Sequence, residues 1–293
     1  MSTVTEIEKL LTEVKGIVEK HKKVDEMTGK NFNIFKVCEI DEKEVLICRF
    51  IYQLINPKGL HNQGDIFLRK FITDVLGGEI SEDEMNTIVV EKEKVIKVHD
   101  YMDNSLREHR IDLLITTNKR VVPIEVKIYA NNQEHQCGNY SKWAREQKKD
   151  DYSLYYLTLD GQVPSSYSVA YDKDLDDYAI NKELNDKYRI KCISFKNEIV
   201  PWIEDCIKDI NVIDKKQIID NLMQFLNVVR GLCNMGCNEL NDELKKVLEN
   251  SKNFEGYIEM TKCQSEITSY VLETIIFKLN EWAKEKNFRV DDT

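Results

Sequence analysis

Apolar residues recur at helical spacing from the start of the chain. Val4, Ile7, Leu10, Leu11, Val14, Ile17 and Val18 predict an amphipathic helix over 4–24. The run DEKEVLICRFIYQLINP predicts a second helix, stopped by Asn56-Pro57. Its stripe of Ile47, Ile51 and Leu54 also carries Glu44, a carboxylate on a face that ought to be buried. Asp41 and Glu44 have the spacing of a capping box, so Glu44 can equally serve the helix end. His61, in a loop with Pro57, Gly59 and Gly64, reads as a turn residue, and DIFLRKFITDVLGG as a helix closed by Gly77-Gly78. MNTIVVEKEKVIKVHDYMD then alternates apolar and polar residues imperfectly, predicting one long or two short strands. It leads into RIDLLITTNKRVVPIEVK, two apolar runs around Asn118-Lys119. Three successive strands make a meander.

NNQEHQCGNYSKWAREQKKD predicts a helix with Gln133, Gln136 or Cys137, Tyr140 and Ala144 on one face. Lys142, Arg145, Lys148 and Lys149 make it locally basic, either as a solvated face or as one that tracks phosphates. DYSLYYLTLDG and YRIKCISF read as a fourth and a fifth strand. The acidic stretch SSYSVAYDKDLDDYAINKELNDKY between them reads as an irregular surface excursion. From KNEIVPWIEDCIKDI onward the pattern is helical, through DKKQIIDNLMQFLNVVRGLC, NELNDELKKVLEN and a long last helix from Tyr257 to Asn287. The expected division is an N-terminal helix at 1–30, a core at 31–210 and a helical region packed on it at 211–293.

Composition narrows the class. The 293 residues are 32% charged and 42% hydrophobic, and no apolar run approaches the ~20 residues of a membrane span. The N-terminus lacks a signal-peptide apolar region, and eight cysteines scattered through apolar patterns fit reduced core thiols, so a cytoplasmic protein is expected. A net charge of -10 argues against coating nucleic acid by broad electrostatics but leaves local binding open.

The chemistry concentrates in the hairpin, where Asp112, Glu125 and Lys127 stand in otherwise apolar strands. A two-residue or a four-residue loop centred on Asn118-Lys119 places Asp112 opposite Glu125, with Cβ atoms about 4.5–5.5 Å apart. Facing like charges need a positive partner. Strand alternation puts Lys127 on the same face as Glu125 while Val126 points the other way. Such an acid pair suits a hard divalent cation that prefers oxygen ligands.

The order helix, meander, helix, strand, with RIDLLI, IEVKIYANNQEHQ, EVLICRFIYQLINPKGLHNQGDIFLRKF and SFKNEIVPWIEDC, resembles the PD-(D/E)XK nuclease superfamily, in its bacterial family 4 branch. The resemblance covers roughly residues 34–205. It implies a restriction-endonuclease-like α/β fold, a mixed sheet flanked by helices, here with a helical C-terminal extension. It further implies that Asp112, Glu125 and the carbonyl of Val126 hold Mg²⁺ or Mn²⁺, with Glu44 completing the shell. Lys127 would orient or deprotonate the attacking water, its pKa lowered by the metal. Gln133, and less directly Gln136 and Tyr140, would steady the site or touch substrate, which is nucleic acid and foremost DNA. Ile111-Asp112 departs from the usual Pro-Asp.

Other readings stay open. The fold could bind nucleic acid or a protein without cutting, the acids could be surface charges of an edge hairpin, and Cys233, Cys237 and Cys263 with Cys38 or Cys48 could hold an iron-sulfur cluster. The C-terminal helix could serve a homodimer.

Overall fold

The computed structural model describes residues 3–100, 103–147, 149–169, 189–209, 214–236 and 238–285. Two compact units emerge, 32–235 and a smaller one made of 1–31 with 236–293. This differs from a single helical region beginning at 211, because residues up to 235 belong with the core unit.

Helix α1 (Thr3–Thr28) opens the smaller unit. The core unit starts with the single turn α2 (Ile34–Val37), capped by the Asn33 side chain. Helix α3 (Glu44–Ile55) buries Ile47, Cys48, Ile51, Leu54 and Ile55 and ends at Asn56, before Pro57. Its N-cap is Lys43, with no side-chain cap bond, so the Asp41–Glu44 capping box does not form. Glu44 is free for another partner. Helix α4 (Ile66–Lys70) runs into a π-turn, Phe71–Val75, and the chain leaves through Gly77 at φ 62°, a conformation that favours glycine. The capping box occurs instead on α5 (Glu82–Met85), between Ser81 and Glu84.

The strands follow as β1 (Val89–His99), β2 (Leu106–Thr116) and β3 (Arg120–Lys127), then α6 (Gln136–Glu146), β4 (Asp151–Tyr152), β5 (Leu154–Thr158), the turn α7 (Ser166–Val169) and β6 (Ile190–Ser194). Among the described residues they make one six-stranded sheet, ordered β1-β2-β3-β5-β6 with β4 beside β3. The meander is antiparallel, whereas β3, β5 and β6 are parallel and joined through helical connections. Most of the expected acidic excursion, from residue 170 to 188, lies outside the described residues. A π-turn leads into α8 (Val200–Lys208), and α9 (Lys216–Leu232) completes the unit.

Two apolar cores lie on the two sides of the sheet. One joins Leu113, Ile115, Ile124, Val126 and Leu157 to α3, α4, α8 and α9; the other joins Leu114, Val121, Leu154 and Tyr156 to Cys137, Tyr140 and Ala144 of α6.

Glu84 ties α5 to the sheet. It is 3% exposed, accepts from Ser81 and pairs with Arg120 Nε at 2.8 Å. Burial pushes its pKa up, but the Ser81 bonds and Arg120 outweigh this and hold it below the usual glutamate value. A depressed folded-state pKa stabilises the protein above the unfolded value of about 4.5, and that contribution is lost as pH falls through the depressed value. Glu84→Gln is therefore expected to cost about 1–3 kcal/mol at pH 7, with the deficit shrinking in acid, as read by urea unfolding across pH.

In the smaller unit α1 packs on α10 (Asn238–Leu248) and α11 (Ser251–Lys262). Lys20 reaches Glu243 at 2.7 Å and Asn253 reaches Glu13 at 2.9 Å. The expected last long helix breaks at Cys263 into α11 and α12 (Gln264–Glu285).

Candidate active site

The ladder between β2 and β3 runs Thr116↔Val121, Ile115↔Val122, Leu114↔Pro123 and Leu113↔Ile124, and Thr117 N–H donates to the Arg120 carbonyl across a two-residue loop. One step further Asp112 faces Glu125. There the regular pairing stops, and Asp112 Oδ2 accepts from Val126 N–H at 2.9 Å. Val126 packs into the core toward α3 while Glu125 and Lys127 turn to the opposite side, as alternation requires.

Glu125 is 1% exposed and Lys127 8%, with Lys127 Nζ 2.5 Å from Glu125 Oε1. Glu125 Oε2 is buried with no hydrogen-bond partner among the described residues. Burial first, and Asp112 second, push the Glu125 carboxyl well above its ordinary pKa. Burial likewise raises Asp112, against the pull of Val126 N–H and Lys127. For Lys127 burial favours the neutral amine, but Glu125, Glu44 and Asp112 together outweigh it and raise the pKa. This is the direction in the metal-free site; the lowering expected of a lysine beside a metal belongs to the metal-bound one. Here the surrounding acids keep the ammonium protonated, and it supplies the positive charge the facing carboxylates call for.

The sheet is irregular at Asp112. Lys92 pairs with Leu113 and Lys94 with Ile111, but Glu93, opposite Asp112, leaves the ladder at φ 50°. Ile111 and Leu114, three apart, consequently sit in the same core, which unbroken alternation forbids. Glu93 is held by Arg49 at 3.0 Å and lies 3.9 Å from Arg110.

Asp112, Glu125 and Lys127 line a cavity of about 410 Å³ with Glu44, His109, Arg110, Gln133, Gln136 and Tyr140. Glu44 Oε2 accepts from Ile128 N–H at 2.9 Å, which fastens the start of α3 to the end of β3. Gln133 lies in the loop before α6, whose first residue is Gln136 because His135 takes the left-handed N-cap position. Gln136 Nε2 donates to the Tyr140 hydroxyl, which donates to the Arg110 carbonyl at 2.7 Å, and Gln136 Oε1 is buried without a hydrogen-bond partner among the described residues. His61 lies elsewhere, in its own turn: it bonds to Asn56 O and Gln63 N–H and packs edge-on against Phe67. On α6, Lys142 is spent on His99 O, and Lys149 beyond it on Asn118 O; Lys148 lies outside the described residues.

Among the described residues no three His, Cys, Asp or Glu side chains form a metal cluster. Cys237 lies outside them, Cys48 is buried, Cys38 and Cys263 are exposed, and Cys233 Sγ is directed at the Leu159 carbonyl. The pair Asp112–Glu125 does suit a small hard cation. Magnesium is typically held by one or two carboxylates and keeps several waters, and Glu125 Oε2 is a buried carboxyl oxygen with no hydrogen-bond partner among the described residues.

His109 and Arg110 were not among the residues the sequence pattern singled out. Alternation places residue 109 on the face opposite 112, and the break that reunites them carries no signature in composition or spacing.

Residues 32–227, well over half of the chain, match the family model described as the PD-(D/E)XK nuclease superfamily. No curated protein and no solved structure matches the chain.

Proposed function

The chain belongs to the PD-(D/E)XK nuclease superfamily, and from this premise we propose that it hydrolyses phosphodiester bonds of nucleic acid, foremost DNA, with Mg²⁺ or Mn²⁺ held by Asp112 and Glu125. The observation that carries the reading is Glu125 Oε2, buried beside Asp112 with no hydrogen-bond partner among the described residues, in a site where one ammonium is set among three carboxyls. The Val126 carbonyl and Glu44 are the further oxygen donors of this reading. Bound there, the metal supplies positive charge to the transition state and brings the pKa of water toward neutrality.

The chain's own side chains do the positioning. Lys127 carries its proton at Nζ and donates to the attacking water or to a phosphoryl oxygen as charge builds on it. Glu44, with Oε2 taken by Ile128 N–H, keeps its other oxygen to accept from a water. Gln133 reaches the cavity from the loop before α6 and contacts the substrate strand. Arg110, its side chain 57% exposed at the rim, offers local positive charge to phosphates against the overall charge of -10.

The test is cleavage of single-stranded and duplex DNA and RNA by wild type with Mg²⁺ or Mn²⁺ over a range of salt. Metal-dependent cutting that Asp112→Asn abolishes supports the reading. Intact substrates that the protein nonetheless binds would favour a non-cutting scaffold.

A homodimer and a cytoplasmic location complete the proposal. Helix α12 carries Ile267, Tyr270, Leu272, Ile276, Phe277 and Leu279 at 46–70% exposure, an apolar surface suited to a second copy. No helix among the described residues is long and apolar enough to cross a membrane. The described cysteines are all free thiols, which fits a reducing compartment. Light scattering of wild type against Ile276→Glu/Phe277→Glu reads the oligomer, with a dimer expected to become a monomer.

A further inference from the structure

The cavity holds one group whose state is fixed from behind. Asp100, 1% exposed, accepts from Arg107 Nε at 3.1 Å, His135 Nδ1 at 3.0 Å, Asn139 Nδ2 at 2.9 Å and Asp103 N–H at 3.3 Å. An ionised carboxylate only accepts, so the Asn139 amide must turn its nitrogen toward it. The same nitrogen lies 3.1 Å from His109 Nε2. Two donors cannot share that contact. His109 Nε2 must accept, and the ring proton of the neutral imidazole resides on Nδ1.

The surroundings agree with a neutral ring. Burial, then Arg107, hold the His109 pKa below its ordinary value against the opposing pull of Asp100. Tyr140 packs edge-on at 5.7 Å and limits rotation of the imidazole. His109 Nδ1 has no hydrogen-bond partner among the described residues and is not sealed from solvent, and the residue lines the same cavity as Asp112, Glu125 and Lys127. The break in alternation at Asp112 brings His109 and Asp112 to the same side of the sheet.

We propose that His109 binds a phosphoryl oxygen of the substrate strand through Nδ1–H, and that Asn139 and Asp100 are positioning residues that fix this tautomer. The proposal rests on the nuclease reading for the identity of the strand. A neutral donor suits the place, since it grips an anionic oxygen without adding a second positive charge beside Lys127. With its proton on Nδ1, the ring presents a donor to the cavity and no lone pair that could capture a metal.

Two amide variants separate the nitrogens. In His109→Asn the amide nitrogen can take the place of Nδ1; in His109→Gln it extends to that of Nε2, away from the cavity. The measurements are kcat and KM on an oligonucleotide, the Kd of the same strand in Ca²⁺ by fluorescence anisotropy, and long-range ¹H–¹⁵N spectra of the histidine rings. His109→Gln is expected to lose about 10- to 100-fold in kcat/KM and to weaken binding, the loss of one charge-assisted hydrogen bond, while His109→Asn keeps most of both. Asn139→Leu is expected to release the tautomer in the spectrum and to lower kcat/KM without touching substrate. A wild-type spectrum with the proton on Nε2, or equal behaviour of the Asn and Gln variants, overturns the proposal. If wild type cuts nothing the nuclease reading fails, and the binding arm still decides: Gln weaker than Asn sustains the His109 contact, and equality removes it.

Discussion

Lys127→Ala is expected to lower the cleavage rate by about 10³-fold under single-turnover conditions while the protein stays folded. Removing the ammonium deletes the donor nearest the acid pair and leaves Glu125 Oε1 without its partner at 2.5 Å. Stranding a buried carboxylate commonly costs several kcal/mol. Here burial and Asp112 already push the Glu125 carboxyl well above its ordinary pKa, so it takes up a proton and the fold survives. Lys127→Met, which keeps the apolar stem, should lose as much rate with less change in stability. A Lys127→Ala protein that still cuts within about tenfold of wild type would remove Lys127 from the chemistry.

Glu125→Gln is expected to have opposite effects with and without metal. In EDTA the variant should be more stable than wild type by about 1–2 kcal/mol, roughly 2–8 °C in Tm for a unit of this size, because one of two facing buried acids is gone. The sign follows from the raised pKa values of Asp112 and Glu125. A raised folded-state pKa lends stability that is complete below the unfolded value, about 4.5 for Glu125, and is lost as pH rises through the folded one. The advantage of the variant should therefore appear toward neutral pH and vanish in acid. With Mn²⁺ at a hundred times its Kd wild type should gain about 2.7 kcal/mol and the variant little, so the order of the two melting temperatures inverts. Scanning calorimetry with EDTA and with Mn²⁺ reads both arms; an equal Mn²⁺ shift in the two proteins would place the metal away from Glu125.

How much of this was legible in the sequence depended on the range of the signal. The hairpin register was legible, because a short loop between two apolar runs fixes which residues face each other, and Leu113↔Ile124 through Thr116↔Val121 follow that register. The meander and the later strands were legible from alternation and apolar runs, whereas the parallel direction of β5 and β6 came only with the fold. Glu44 was ambiguous, since capping and site lining call for the same residue type at the same spacing; only the bond to Ile128 N–H shows which end it serves. The start of α6 was placed too early because nothing local announces a left-handed His135. The unit boundary at 235/236 depends on which distant helices each segment packs against, and the break at Cys263 has no proline or glycine to announce it.

Without metal, Glu125, Glu44 and Asp112 together raise the Lys127 pKa, an effect of how closely the fold gathers the three acids that residue spacing does not give. His109 was hidden for the related reason that its tautomer is set from the other side of the ring by Asp100, nine residues away, and by Asn139 on α6.

A Mn²⁺ soak of crystals of the full chain, read by anomalous diffraction, tests the central claim most directly. The account predicts a peak between the Asp112 and Glu125 carboxylates, with the Lys127 ammonium drawn off Glu125 Oε1, and no peak in Glu125→Gln. Saturating Mn²⁺ that leaves the Lys127–Glu125 pair intact and no peak beside Asp112 would contradict it.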